Sequence, residues 1–94
     1  MAVGDVVSAH SSIADDASLT IQPGAGAEWI IHNLYYGGDC ELYITDGANE
    51  FELDNFGGPE YVQLTFRVNN TVYATFKNVS GDAAYLGYDG IVTK

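Results

Sequence analysis

Two histidines, one cysteine, a run of carboxylates and seven tyrosines are the side chains of this sequence with chemistry to offer. His10 lies in a polar stretch, and His32 lies between Ile30 and Leu34 on one strand face. Neither has a nucleophile or a second ligand at a spacing such as GxSxG, HExxH or CxxC. A lone histidine on an apolar strand face is more often a packing or interface residue than a base. No catalytic residue is assigned, and an enzyme is not expected. Asp46, Glu50, Glu52 and Asp54 invite a calcium site. Calcium, however, takes six to eight oxygens that converge from a tight loop. On a strand, Glu50, Glu52 and Asp54 fall about 7 Å apart along one face, which describes a solvated surface. Paired carboxylates also cleave glycosides, but a sandwich of 94 residues leaves little room for the cleft. No metal and no cofactor are expected.

Cys40 is the single cysteine, so no internal disulfide can form, and it aligns with Leu42 and Ile44 as a small core hydrophobe. Asn69-Asn70-Thr71 and Asn78-Val79-Ser80 match the glycosylation pattern but read more simply as turns. Tyr35, Tyr36, Tyr43, Tyr61, Tyr73, Tyr85 and Tyr88 allow a stacking platform for sugars. Cross-strand aromatic pairing is the plainer account of them.

The elements that position these groups are short strands. Glu28 to Asp46, EWIIHNLYYGGDCELYITD, holds two extended runs around Gly37-Gly38-Asp39, expected as a central hairpin with positive φ at glycine. Strict alternation puts Trp29, Ile31, Asn33 and Tyr35 on one face, and Ile30, His32, Leu34 and Tyr36 on the other. Both faces are apolar, so this strand is expected to be covered on both sides. Further alternating runs occupy 18–22, 50–54, 61–68, 71–77, 84–88 and 91–93. The spacing predicts an all-β antiparallel sandwich, jelly-roll-like, with seven or eight short strands and no long helix. Leu42, Ile44, Val62, Leu64, Phe66, Val72 and Phe76 are its expected core. Phe51 and Leu53 alternate with an acidic outer face, and Phe56 falls in a loop.

Residues 1–17 carry no aromatic and are expected as an N-terminal arm or a poorly formed edge strand, with the sandwich at 18–94. Val3, Val6, Val7 and Ile13 are the arm's candidate partner contacts. Four aliphatic side chains cannot offset the ordering of seventeen backbones. An ordered arm therefore requires backbone pairing, expected from a neighbouring subunit or partner.

Thirteen acids face three bases, Arg67, Lys77 and Lys94, for a formal charge of −10. This balance repels phosphate and argues against nucleic acid. It fits solubility, a salty or crowded setting, or a basic partner surface. No basic start followed by a long apolar run is present, so neither a secretory signal nor a membrane span is expected.

The stretch SLTIQPGAGAEWIIHNLYYGGDCELYITDG, then LTFRVNNTVYATFKNVSG and LGYDGIVT, resembles single-domain jelly-roll structural proteins of tailed bacteriophages over about 18–93. The resemblance rests on Pro-Gly before Glu-Trp-Ile-Ile-His-Asn, the Asp-Gly turn, Val-Asn-Asn before a strand, and Gly-Tyr-Asp-Gly. It implies a virion structural protein, made in the host cytoplasm, that decorates or cements the capsid exterior. Its implied partners are the major capsid protein and neighbouring copies of itself, as a homotrimer. The alternative it implies is a carbohydrate- or receptor-binding module of a tail or fibre.

Overall fold

The structure, a computed structural model, describes residues 2–94. Among the described residues there are eight strands and no helix, as the alternation predicts: β1 (Val6–Ile13), β2 (Ser18–Ile21), β3 (Glu28–Tyr36), β4 (Cys40–Thr45), β5 (Glu50–Phe56), β6 (Glu60–Asn69), β7 (Tyr73–Asn78) and β8 (Ala84–Val92). They form two antiparallel four-stranded sheets, A in the order β1-β8-β3-β6 and B in the order β2-β7-β4-β5. The chain is one long hairpin with its tip at β4–β5 and its ends at β1–β8. Successive rungs fall alternately in the two sheets, which is the jelly-roll order.

Consequently β3 and β4 do not pair, and Gly37-Gly38-Asp39 is an arch between the sheets, not a hairpin. Neither glycine has positive φ. What they supply is space: a Cβ on Gly38 would stand 2.8 Å from Ser80 Cβ. The hairpin lies one connection later. There Gly47 takes φ 93°, and Asp46 Oδ1 accepts from the amides of Ala48 (2.9 Å) and Asn49 (2.8 Å).

Strict alternation also fails inside β3. Its register shifts against both β6 and β8 between Ile31 and Asn33, and β8 has no residue opposite His32. Trp29 and Ile31 face inward before this bulge, and Leu34 and Tyr36 face inward after it. One face of β3 therefore packs on the core, and the two-sided covering expected from its apolar residues is a switch of side at His32.

The core joins Val7, Ile31, Leu34, Tyr36, Val68, Leu86, Tyr88 and Val92 of sheet A to Ile21, Cys40, Leu42, Ala74 and Phe76 of sheet B. Val62, Leu64, Phe66 and Ile44 are partly buried against it. Val62, Leu64 and Phe66 lie on an edge strand, open along one side. Val72, expected inside, is 42% exposed because β7 begins at Tyr73. Val72 instead closes the turn in which Asn69 Oδ1 accepts from the amides of Thr71 and Val72. Phe56, expected in a loop, ends β5 and stacks on Tyr36 at 5.3 Å.

The stretch 1–17 contains β1, which pairs with β8 from Val6↔Ile91 to Ile13↔Ala84. The backbone pairing that an ordered arm requires comes from the same chain, and β1 is an edge strand of sheet A.

Candidate functional site

Of the four candidate contacts near the N-terminus, Val7 is buried and Ile13 packs against the core, both on the inner face of β1. Val3 and Val6 are exposed. The four do not form one surface. His10 and His32 are also exposed and lie on different strands, β1 and β3. Among the described residues, no group of three or more His, Cys, Asp or Glu is placed to hold a metal ion. Cys40 is buried, and burial, followed by the nearby charges of Asp39 and Glu41, pushes its thiol up to about 12. Asn78 is fully buried, so it is a structural residue: Nδ2 donates to the carbonyls of Ile13 (2.8 Å) and Asp82 (2.7 Å), and Oδ1 accepts from Ser80 N at 3.0 Å.

The two outer faces of the sandwich carry the remaining chemistry. On sheet B, a bulge decides where the acids point. Leu42 pairs with Asp54 and Tyr43 with Glu52, so Leu53 has no partner on β4. Glu52 and Glu50 share the outer side with Tyr43, while Asp54 goes to the side of Leu42. The acidic run is thus divided, and the even row expected along β5 does not form. Glu41 completes the outer group and accepts a hydrogen bond from Tyr43 Oη at 2.7 Å. That bond, then desolvation and the charges of Glu41, Glu52 and Glu50, pushes the Tyr43 phenol up to about 12. Lys77 stands in register with Glu41 as the cation of this face. Beside it the edge is apolar: Phe51 is 68% exposed, and with Ile44 and Val72 it lines a depression at the β4–β5 turn.

On sheet A, the bulge at His32 turns Asn33 and Tyr35 outward. The register then puts His10, Gly87, Tyr35 and Tyr61 in one row across all four strands. Tyr35 and Tyr61 lie 6.4 Å apart between ring centroids. Asp89, one step along β8 on the same face, accepts from Asn33 Nδ2 at 2.9 Å and from Tyr35 Oη. The hydrogen bond to Asp89 is the main cause that raises the Tyr35 phenol above its ordinary value. A groove of about 400 Å³ runs over Gly87 of β8, lined by Ser8 and His10 of β1, Tyr35 of β3, and Tyr85 and Leu86 of β8 itself.

The seven tyrosines therefore do not act as one set. Tyr36 and Tyr88 are core residues, Tyr73 packs against the core, Tyr43 belongs to the acidic face, and Tyr35, Tyr61 and Tyr85 stand on the outer face of sheet A. The contribution of Asn33, Gly87 and Asp89 was not visible in the sequence. Its one signal was a glycine between Leu86 and Tyr88 in an otherwise continuous strand.

No protein-family model and no curated protein matches the chain. Among solved structures, it is similar to the crystal structure of Drosophila NLP-core, described for pentamer formation and histone binding. The identity is 13%, the TM-score 0.51, and the match covers 96% of this chain and 100% of that one. At this identity the likeness is one of fold. It overturns the expectation of a capsid-decorating virion protein, together with its tail-fibre alternative, because the sandwich matches a histone-binding protein. The expected partner set, a major capsid protein and a homotrimer from the resemblance with nucleic acid excluded on charge, is corrected with it. The physical reason is plain in the turns. Asp-Gly forms the β4–β5 turn, Val-Asn-Asn the turn before β7, and Gly-Tyr-Asp-Gly lines the close contact of β8 with β1 and β3. These are requirements of the sandwich itself and carry no information about what it is built into.

Proposed function

We propose that this chain is a non-enzymatic, oligomer-forming acidic β-sandwich that binds a basic protein. The observation that carries this reading is the outer face of sheet B. Glu41, Glu50 and Glu52 gather around Tyr43 there, on a chain with thirteen acids and three bases. Like charges on one sheet face repel one another, and a cationic surface laid across them relieves that repulsion. Complementary charge also steers encounter and sets specificity. The likeness to NLP-core supports the reading in both parts, since that protein is described for pentamer formation and histone binding. The apolar edge at Phe51, Leu53 and Val72, exposed beside the acids, offers the contact for further copies.

The test is titration of the labelled full chain with purified core histones, read by fluorescence anisotropy at rising salt. Binding is expected at low salt and should weaken about tenfold or more as ionic strength passes roughly 0.1 M, where the Debye length is about 10 Å. Sedimentation of the free chain should show an assembly of several copies. Absence of binding at low salt would sink the partner reading, and a monomer at high concentration would sink the assembly reading.

A further inference from the structure

The acidic face of sheet B accounts for charge but leaves the aromatic groove of sheet A without a role. That groove is a made feature of the fold. The bulge at His32 aims Tyr35 outward, where strict alternation would have sent it to the core. The groove's floor is Gly87, which has no side chain to fill it and could not carry one. A Cβ there would stand 2.5 Å from His10 Cβ and 2.9 Å from Ala9 O. Its aromatic walls are exposed: Tyr85 is 67% and Tyr35 40% accessible, and Tyr61, 64% accessible, extends the surface beyond Tyr35.

Aromatic faces carry negative potential and attract cations placed over them. The hydrogen bond from Tyr35 to the Asp89 carboxylate pushes electron density back into the phenol, which strengthens that attraction. Asp89 adds a full negative charge beside the rings, held in place by Asn33. Apolar walls, an empty floor and a fixed carboxylate complement an extended side chain with an aliphatic stem and a cationic tip.

We infer that this groove receives a lysine or arginine side chain of the basic partner, a second point of attachment on the opposite face from the glutamates. This rests on the reading of the chain as a binder of basic proteins. It adds that binding has an aromatic component in the groove besides the net charge of the chain.

The experiment uses the full chain and a short lysine-rich peptide as probe, with nuclear magnetic resonance to map contacts and anisotropy to measure affinity. Signals of Tyr35, Tyr85 and His10 should shift on addition of peptide. Tyr85→Ala should weaken binding about fivefold, while Tyr85→Phe keeps it. Asp89→Asn should weaken binding more than Glu52→Gln, which removes the same charge from sheet B. Tyr85 is exposed, so a melting curve equal to that of the parent should show that its variants fold. Undiminished affinity in Tyr85→Ala would overturn the inference, as would equal losses in Asp89→Asn and Glu52→Gln. In either case net charge alone holds the peptide, and the reading of sheet B stands. Failure of the parent chain to bind both peptide and histones at low salt would bring down that reading and the inference together.

Discussion

Gly90 offers the sharpest test of how sheet A is built. It pairs with Ile31 at the edge of the β3 bulge and with Val7 of β1 on its other side. Its φ is not in the left-handed region, so conformation does not demand glycine here. Contact does: a Cβ would collide with the Ile30 carbonyl oxygen and stand 2.8 Å from Ile31 Cα. Every one of these neighbours is backbone, so no side chain can swing away, and β8 must separate from β3 where the bulge depends on it. Overpacking costs about 1–3 kcal/mol where side chains can adjust. With only backbone to move, Gly90→Ala is expected to cost about 3 kcal/mol, the upper end of that range. For a domain of this size each kcal/mol lowers Tm by about 4–8 °C, so the expected fall is roughly 12–24 °C. Gly24→Ala is the control: no atom lies within 4 Å of the point a Cβ would occupy and its φ is ordinary, so it should change stability by no more than about 1 kcal/mol. Thermal melts followed by circular dichroism compare the two. A fall of under about 4 °C for Gly90→Ala would mean that β3 and β8 yield easily, and the close-contact account of the bulge would be wrong.

Three further outcomes follow from single residues. Asn78→Ala removes three part-buried hydrogen bonds, one to the end of β1 and two within the β7–β8 turn, and should cost about 2–4 kcal/mol in urea titration; a cost below about 1 kcal/mol would show that water replaces them. Cys40, with its thiol pushed up to about 12 by burial, should resist alkylation in the native protein at mildly basic pH and react promptly in denaturant; equal rates would mean that β4 opens readily. The amides of Asn49 and Ala48 hold the Asp46 carboxyl below its ordinary value of 3.8. Its folded pKa is therefore depressed, so its contribution is present above the ordinary value and lost as pH falls through the folded one. A carboxyl-resolved titration should place its midpoint below 3.8, and Asp46→Asn should remove that part of the acid dependence.

Strand positions were legible because period-two alternation is a local property. β3 and β4 fall where the alternation places them, and β6 differs by one residue at each end. Sheet partners were not legible, because alternation says which face is buried and nothing about which strand lies alongside. Gly37-Gly38 reads locally as a reversal, yet its purpose is to pass close to Ser80, a residue more than forty positions away. β1 was legible only as an arm or a poorly formed edge strand, for the same reason. Its Ser, Ala and His residues carry little hydrophobic pattern, and its order comes from the ladder that β8 supplies. Val72 was misplaced by a boundary: it belongs to the turn that precedes β7, and the pattern that Ala74 and Phe76 obey begins only after it.

The same limit governs the surfaces. Composition reveals the sign of the charge, and hence the sign of a partner, but two bulges decide where that charge and the aromatic rings are displayed. Had β5 alternated without Leu53 as an extra residue, Asp54 would have joined Glu50 and Glu52 on the outer side. Had β3 alternated through His32, Tyr35 would have been directed into the core and Leu34 out of it. Each strand carries apolar or acidic residues at both parities, which is the trace a bulge leaves in a sequence. Two-sided burial leaves the same trace, and only the neighbouring strands distinguish them: β8 has no residue opposite His32, and β4 has none opposite Leu53. The features that could bind a partner are thus set by irregularities of pairing, whereas the turns on which a likeness to virion proteins rested are set by the regular fold. A sandwich of this order will share those turns whatever its partner, so functional comparison of such chains belongs at the bulges.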